Sequence, residues 1–219
     1  MKRISRLLVT MLVAFPLAAA LPTPSYAMTG SVNSGGAIAG TSTDITFLDL
    51  VTGKTVTCTG LSVAGTLPNT TSLGNPIGHQ TSMTLSGCTG GTYTFTYVMV
   101  TFPTGGQTIS VTGSTTGGIT DLDISSIHIE FRTNPSTNCD FILAGDPTGS
   151  TTNGVAHANY SDFSGYLDFS DSGHTDTLYS HVISGCSGLA STGDHWTMSG
   201  VVKLRNSSNG IPQIQAAYP

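Results

Sequence analysis

The chain lacks most of the residues that stabilise exposed helices. Among 219 residues it holds a single Glu, Glu130, and seven Lys and Arg, so that charged residues make up 9% of the sequence against about 25% in an average globular protein. Thr and Ser are abundant instead, and 27 Gly punctuate the chain. Runs of Thr, Val, Ile and aromatic residues between glycines suit pleated strands and tight turns. This composition predicts an all-β fold and disfavours a helical bundle, a coiled coil or a Rossmann-type enzyme.

The first 27 residues have the pattern of a secretory signal peptide. Three basic residues precede an apolar run over residues 7–21, and small residues lead up to Ala27. The apolar run is shorter than the roughly 20 residues of a membrane-spanning helix, and no comparable run follows it. We therefore predict cleavage after Ala27 and a secreted chain, residues 28–219, that is extracellular or associated with the cell envelope and has no integral membrane segment.

The exported chain is acidic. It keeps four Lys and Arg against twelve Asp and Glu, a formal charge of −8. An acidic chain without a basic cluster is a poor nucleic-acid binder, so we expect no nucleic-acid partner. The glycine-rich phosphate-binding loops and the Gly-x-Ser-x-Gly nucleophile motif are also absent from the sequence.

Four cysteines remain after export, namely Cys58, Cys88, Cys139 and Cys186. An even number of cysteines in an oxidising compartment predicts two disulfides, for which three connectivities are possible. A structural zinc site would need close pairs such as Cys-x-x-Cys, whereas the nearest two cysteines here are 30 positions apart.

The sequence around the cysteines occurs twice. Residues 85–90 read Leu-Ser-Gly-Cys-Thr-Gly and residues 183–188 read Ile-Ser-Gly-Cys-Ser-Gly, and a Thr stands six positions before both Cys58 and Cys139. Such self-similarity indicates two related halves, which we place at about 44–113 and 119–206 of one β domain. If each half closes its own loop, Cys58 pairs with Cys88 and Cys139 pairs with Cys186.

Alternation of apolar and polar residues locates the strands. Two strands are predicted to bury one face each, the first through Ile127, Ile129 and Phe131 and the second through Trp196, Met198, Val202 and Leu204. Further strands are expected near residues 44–51, 55–62, 80–86, 138–143, 155–159, 163–169 and 177–184. Ten or more short strands predict an antiparallel β-sandwich or a barrel.

A hairpin is predicted over residues 92–111. Tyr93, Phe95, Tyr97 and Met99 fall on one face of a single strand, and the sequence Pro-Thr-Gly-Gly at 103–106 would turn the chain into a return strand through Ile109 and Val111.

A family resemblance rests on three short segments, Thr57-Cys58-Thr59-Gly60-Leu61, Ile77-Gly78-His79 and Leu85-Ser86-Gly87-Cys88. With the signal peptide and the Thr- and Gly-rich strands, the chain resembles uncharacterised small exported proteins of actinobacteria. The resemblance covers most of the exported chain. It implies a secreted bacterial β protein with two disulfides, and it brings no known activity, cofactor or catalytic residue.

Several polar groups are candidates for catalysis or metal binding. His128, Glu130 and Arg132 alternate on one strand and could form an acid/base surface, but we interpret them as a solvated strand face. Asp121 and Asp123 share a face and could act as a carboxylate pair if they lie in a cleft.

The segment from Asp168 to Asp176 also holds Asp171 and His174, which loosely resembles a calcium loop, but its spacing fits a polar hairpin better. His174, His181 and His195 lack a metal-ligand spacing. We therefore predict no catalytic, cofactor or metal site.

Aromatic residues recur every three positions at Tyr160, Phe163, Tyr166 and Phe169. On a strand, Phe163, Leu167 and Phe169 would point inward. Tyr166 would then be exposed beside the carboxylate of Asp168 and could stack on a sugar. Three functions follow. The first is a non-enzymatic protein that binds a glycan, lipid or protein partner at or near the cell surface. The second is a barrel that carries a small apolar ligand, for which Tyr93, Phe95 and Tyr97 could line a pocket. The third is a small secreted hydrolase that uses Asp and His.

Overall fold

The computed structural model describes residues 28–170 and 176–217, so the predicted signal peptide lies outside the described residues. Every regular element in this part of the chain is a strand, as the composition predicts. The strands are β1 (Thr29–Asn33), β2 (Gly36–Ser42), β3 (Ile45–Asp49), β4 (Thr55–Leu67), β5 (Thr70–Leu73), β6 (Gly78–Gly90), β7 (Tyr93–Phe95), β8 (Tyr97–Val100), β9 (Gln107–Val111), β10 (Ile119–Ile127), β11 (Ile129–Arg132), β12 (Cys139–Ala144), β13 (Gly154–Ser161), β14 (Tyr166–Asp168), β15 (Leu178–Gly185), β16 (His195–Asn206) and β17 (Gln213–Ala217).

Eight of these strands form a closed antiparallel barrel. Its strand order is β14, β13, β10, β9, β6, β4, β2 and β16, and the pairing of β14 with β16 closes the circle. Closure removes the free edges that an open sheet would expose. The sequence leaves sandwich and barrel open, and the structure decides for the barrel.

Three barrel strands continue beyond the barrel. Strands β4 and β6 have 13 residues each and β16 has 12. Their far ends pair with β3, β7 and β15, and the sheet then continues through β12, β11 and β8. We call the six short strands β3, β7, β8, β11, β12 and β15 the extension.

A separate sheet has three strands, in the order β17, β1 and β5, and β17 contacts the barrel strand β10. The side chain of Ile214 from β17 reaches the barrel lumen. The barrel holds β17 through polar groups: Asp162 accepts a hydrogen bond from the backbone N–H of Ile214 at 2.8 Å, and the hydroxyl of Tyr160 donates to the carbonyl of Pro212 at 2.7 Å. Burial raises the pKa of Asp162.

The interior has a different character in the barrel and in the extension, although the buried residues form one contiguous cluster. Aliphatic side chains fill the barrel, whereas five rings fill the extension: Phe47, Phe95, Phe131, Phe141 and Trp196. The rings of Phe131 and Phe141 stack at 5.1 Å between centroids, and Phe141 stacks on Trp196 at 5.7 Å. The predicted inward residues Ile127, Ile129, Met198, Val202 and Leu204 are all buried.

Both disulfides have the predicted connectivity. Cys58 on β4 lies directly opposite Cys88 on β6. Cys139 opens β12 opposite Gly185, and its partner Cys186 follows β15. Each disulfide therefore joins neighbouring antiparallel strands within the extension end of the molecule.

The predicted hairpin over residues 92–111 is wrong. The chain bends at Thr96, so that β7 pairs with β6 whereas β8 pairs with β11, and the return strand β9 pairs with β6 and β10. This bend shifts the alternation by one residue. Phe95 is buried, but Tyr97 and Met99 point outward, contrary to the single shared face that alternation predicts.

Two buried carboxyl groups meet where β3 ends and β16 begins. Asp49 accepts hydrogen bonds from the backbone N–H of Val51 at 2.8 Å and from the hydroxyl of Thr52 at 2.6 Å. Asp194 accepts one from the N–H of Ser191 at 2.7 Å and shares a hydrogen bond with Asp49. Burial, together with the nearby Asp49 carboxylate, raises the pKa of Asp194. The folded state therefore keeps the proton of Asp194 to a higher pH than the unfolded chain does.

We predict that Asp194→Asn makes the protein less sensitive to pH. Because the folded pKa of Asp194 is raised, its stabilising contribution is complete below the pKa of the unfolded chain and is lost as pH rises through the folded value. The Asn amide can donate to Asp49 at every pH. At pH 7 the variant should therefore melt at a higher temperature than the parent protein, and the difference should disappear as the pH is lowered. Thermal melts from pH 3 to 8 measure this, with the exposed Asp44→Asn as control. Parallel curves for Asp194→Asn and the parent protein would contradict the shared proton.

We predict that both disulfides stabilise the fold strongly. They close loops of 30 and 47 residues, each of which should contribute about 3 to 4 kcal/mol by restricting the unfolded chain. Replacing either pair with Ala should lower the Tm by about 10 °C. Circular dichroism melts of the two double variants measure the loss. A drop of less than about 2 °C for either pair would show that this disulfide is dispensable.

Candidate functional site

The row His128, Glu130 and Arg132 is not the solvated face that the sequence suggests. Glu130 is only 6% exposed, and Arg132 donates hydrogen bonds to Glu130 and, at 3.0 Å, to Asp140. The ring of Tyr97 lies 5.5 Å from the guanidinium. The Glu130 carboxylate, with Asp140, raises the pKa of Arg132. The two carboxylates hold the single guanidinium in a structural network rather than on a solvated face.

Three histidines on or beside the extension contact loops. His128 and His181 each donate a hydrogen bond of 3.1 Å to loop carbonyls, those of Gly149 and Pro147 respectively. In the same loop, hydrogen bonds from Thr148 and Thr151 lower the pKa of Asp146 to about 2. His195 stacks on Tyr179 and contacts the carbonyl of Asp176.

The Asp and His residues that the sequence analysis considered as possible metal ligands do not come together in the described residues. Asp176 is buried and accepts hydrogen bonds from the backbone N–H groups of His157 and Met198. Asp168 accepts one from the N–H of Ser170, while Asp171 and His174 lie outside the described residues. Within residues 28–170 and 176–217, no three metal-ligating side chains are placed to hold an ion together.

Asp123 and His157 form the pair that most resembles an acid/base arrangement. It shares the outer face of β10 with Asp121, as predicted, and it contacts Nδ1 of His157 on β13. On its other side Asp123 lies opposite Ser110 of β9. The carboxylate thus stands between the serine and the histidine, whereas a nucleophilic triad needs the histidine in the middle.

The barrel lumen is packed with side chains. Its wall is aliphatic apart from Phe169 and two glutamines, Gln80 and Gln107, which hydrogen-bond to each other at 3.0 Å. The space that remains is about 30 Å³, whereas sites for small organic ligands typically measure about 300–1,000 Å³. Tyr93, Phe95 and Tyr97, which sequence reasoning considered as pocket residues, do not line the lumen.

A groove of about 680 Å³ runs along the outer wall of the barrel over β2, β16 and the turn after β16. We call it the outer groove. It is lined by Ala39, Gly40, Thr41, Lys203, Arg205, Asn209, Gly210 and Ile211. Lys203 lies directly opposite Thr41 on one side and Tyr166 of β14 on the other. Side chains opposite each other on neighbouring strands share a face, so the Tyr166 ring flanks the outer groove.

The outer groove holds two cationic side chains, and an exposed tyrosine flanks it. Of the four Lys and Arg in the described residues, Lys203 and Arg205 lie here, and the ion pairs found in this part of the chain involve neither. Tyr166 is 44% exposed, as predicted. Phe163 is 78% exposed, contrary to its predicted inward orientation, because it lies on the turn before β14 and its ring covers Gly118.

Local hydrogen bonds fix the walls of the outer groove. The Asn206 side chain accepts hydrogen bonds from the N–H groups of Ser208 and Gly210 at 3.0 and 2.7 Å and donates to the carbonyl of Ser34 at 2.7 Å. Nη1 of Arg205 donates to the carbonyls of Ser164 and Leu204. The outer groove is therefore organised before any ligand arrives.

Sequence reasoning missed Lys203 and Arg205. Lys203 fits the alternation of β16 as an outward residue, but the sequence alone gives no sign that Tyr166, some 40 positions earlier, lies beside it. The sequence did offer one signal: cations are scarce in this acidic chain, yet Lys203 and Arg205 are only two positions apart.

No helix among the described residues is long and apolar enough to cross a membrane. Comparisons with protein-family models, with curated proteins and with solved structures find no match to this chain.

Proposed function

We propose that the protein is an exported, non-enzymatic β protein that acts at or near the cell surface by binding a glycan in the outer groove. The observation that supports this most is the row Thr41, Lys203 and Tyr166 across three neighbouring strands. It places an exposed aromatic ring beside hydroxyl and ammonium groups on one rigid wall. Sugars present both an apolar ring face and many hydroxyl groups, and this row offers a partner for each.

A glycan fits the outer groove better than a lipid or a protein does. The groove contains no large apolar side chain except Ile211, so an acyl chain would have little apolar surface to cover. Protein interfaces usually centre on a cluster of buried aromatic or aliphatic anchors, whereas polar and small residues dominate here. The two disulfides are compatible with an extracellular location.

The carrier and hydrolase alternatives have less support. A carrier would have to open the packed lumen by at least about 270 Å³ to reach the lower limit of ordinary ligand sites. Among the described residues, the residue that faces His157 from β10 is the carboxylate Asp123 and not a nucleophilic serine.

We predict that Tyr166→Ala weakens glycan binding by about tenfold. Loss of the stacking ring removes contacts worth about 1.4 kcal/mol, the equivalent of that factor. An array of cello-, xylo- and galacturono-oligosaccharides identifies the ligands, and titration calorimetry then compares the variant with the parent protein.

Tyr97→Ala serves as the matched control for this prediction. Tyr97 is 47% exposed, close to the exposure of Tyr166, but it lies on the extension. Equal losses in the two variants, or no loss in Tyr166→Ala, would contradict binding in the outer groove.

A further inference from the structure

We infer that the outer groove selects glycans that carry a carboxylate, and that Arg205 is the residue that recognises this group. The inference rests on the proposed glycan binding and adds the chemical class of the ligand.

The guanidinium of Arg205 is held by one of its three nitrogens. Nη1 donates to the carbonyl of Ser164 at 3.1 Å and to the carbonyl of Leu204 at 2.7 Å, which uses both of its hydrogens. The N–H groups of Nε and Nη2 remain. These two form the planar edge that binds a carboxylate through two parallel hydrogen bonds.

The turn before β14 accommodates the guanidinium of Arg205 because it contains a glycine. Gly165 has φ +71°, and a Cβ atom at this position would come within 2.3 Å of Nη1 of Arg205. A residue with a side chain would therefore be strained and would also displace the guanidinium. The turn before β14 thus both requires a glycine and holds the arginine in a defined orientation.

Charge complementarity favours an anionic ligand. The described residues carry eleven Asp and Glu against four Lys and Arg. Arg132 is neutralised by Glu130 and Asp140, so Lys203 and Arg205 form the one pair of neighbouring unpaired cations in residues 28–170 and 176–217. Lys203 is exposed and supplies a second positive charge next to the Tyr166 ring. A uronic acid matches this arrangement, because its pyranose ring can stack on Tyr166 and its carboxylate can bind the two cations.

The test compares two probes on the purified protein: the α-1,4-linked trimer of galacturonic acid and its fully methyl-esterified form. These differ in charge and in the carboxylate while keeping the same sugar ring. Titration calorimetry should show the acid bound at least tenfold more tightly than the ester. The difference should shrink as salt is raised, because the cations are solvent-accessible.

Substitutions distinguish recognition by the planar edge of Arg205 from attraction by positive charge alone. Arg205→Lys keeps the charge but removes the planar edge, and it should abolish most of the preference for the acid. Lys54→Gln removes one positive charge from an exposed position outside the groove and should leave the preference intact. Lys203→Gln, at an exposed strand position, should reduce the preference by a few fold and remains informative if the Arg205 variant folds poorly.

Each of the other outcomes contradicts a defined part of the inference or of the proposed function. If acid and ester bind equally, the carboxylate specificity is wrong while glycan binding stands. If Arg205→Lys keeps the full preference, Arg205 is not the recognising residue. If neither trimer binds but phosphatidylglycerol vesicles do, the outer groove serves an anionic lipid surface, and the inference and the proposed function both fall. Binding of neither trimer and of no other glycan on the array also overturns both.

Discussion

The length of β4, β6 and β16 is the constraint on which the rest of the structure depends. At about 3.3 Å per residue, a strand of 12 or 13 residues extends roughly 40 Å, which is longer than a small barrel needs. The three strands therefore run through two packed regions and must bury side chains in both. In the barrel they meet aliphatic residues, and in the extension they meet the five aromatic rings. Because the same backbones serve both regions, neither region can shift its register without displacing the other.

Both disulfides lie at the end of the molecule where the long strands continue beyond the barrel. Cys58 and Cys88 join the two longest strands at the point where they leave the barrel and pair with β3 and β7. Cys139 and Cys186 fix β12 to the segment that follows β15. The extension also has short strands, with three or four residues in β7, β8 and β11, and the two cross-links fasten the longer paired strands beside which these short strands lie.

Local sequence information predicts which residues form strands better than it predicts which strands become neighbours. Alternation identifies Trp196, Met198, Val202 and Leu204 as inward residues because all four lie on one uninterrupted strand. It fails at Thr96, where the chain changes partner strands and the alternation shifts. It fails again at Glu130, since burial of that carboxylate depends on Arg132 and on Asp140 from another strand. The disulfide connectivity was predictable because the flanking sequences themselves repeat.

The candidate site illustrates the same limit, because its residues meet only through barrel closure. Tyr166 and Lys203 belong to β14 and β16, whose pairing is the last one needed to close the barrel. The turn that carries Gly165 and Ser164 is thereby brought against Arg205, which holds it through Nη1. A filled barrel can offer little space inside, so the side chains that remain available for recognition lie on its outer wall. There the closing strands place them with the rigidity of the sheet, which lowers the entropic cost of ordering them around a ligand.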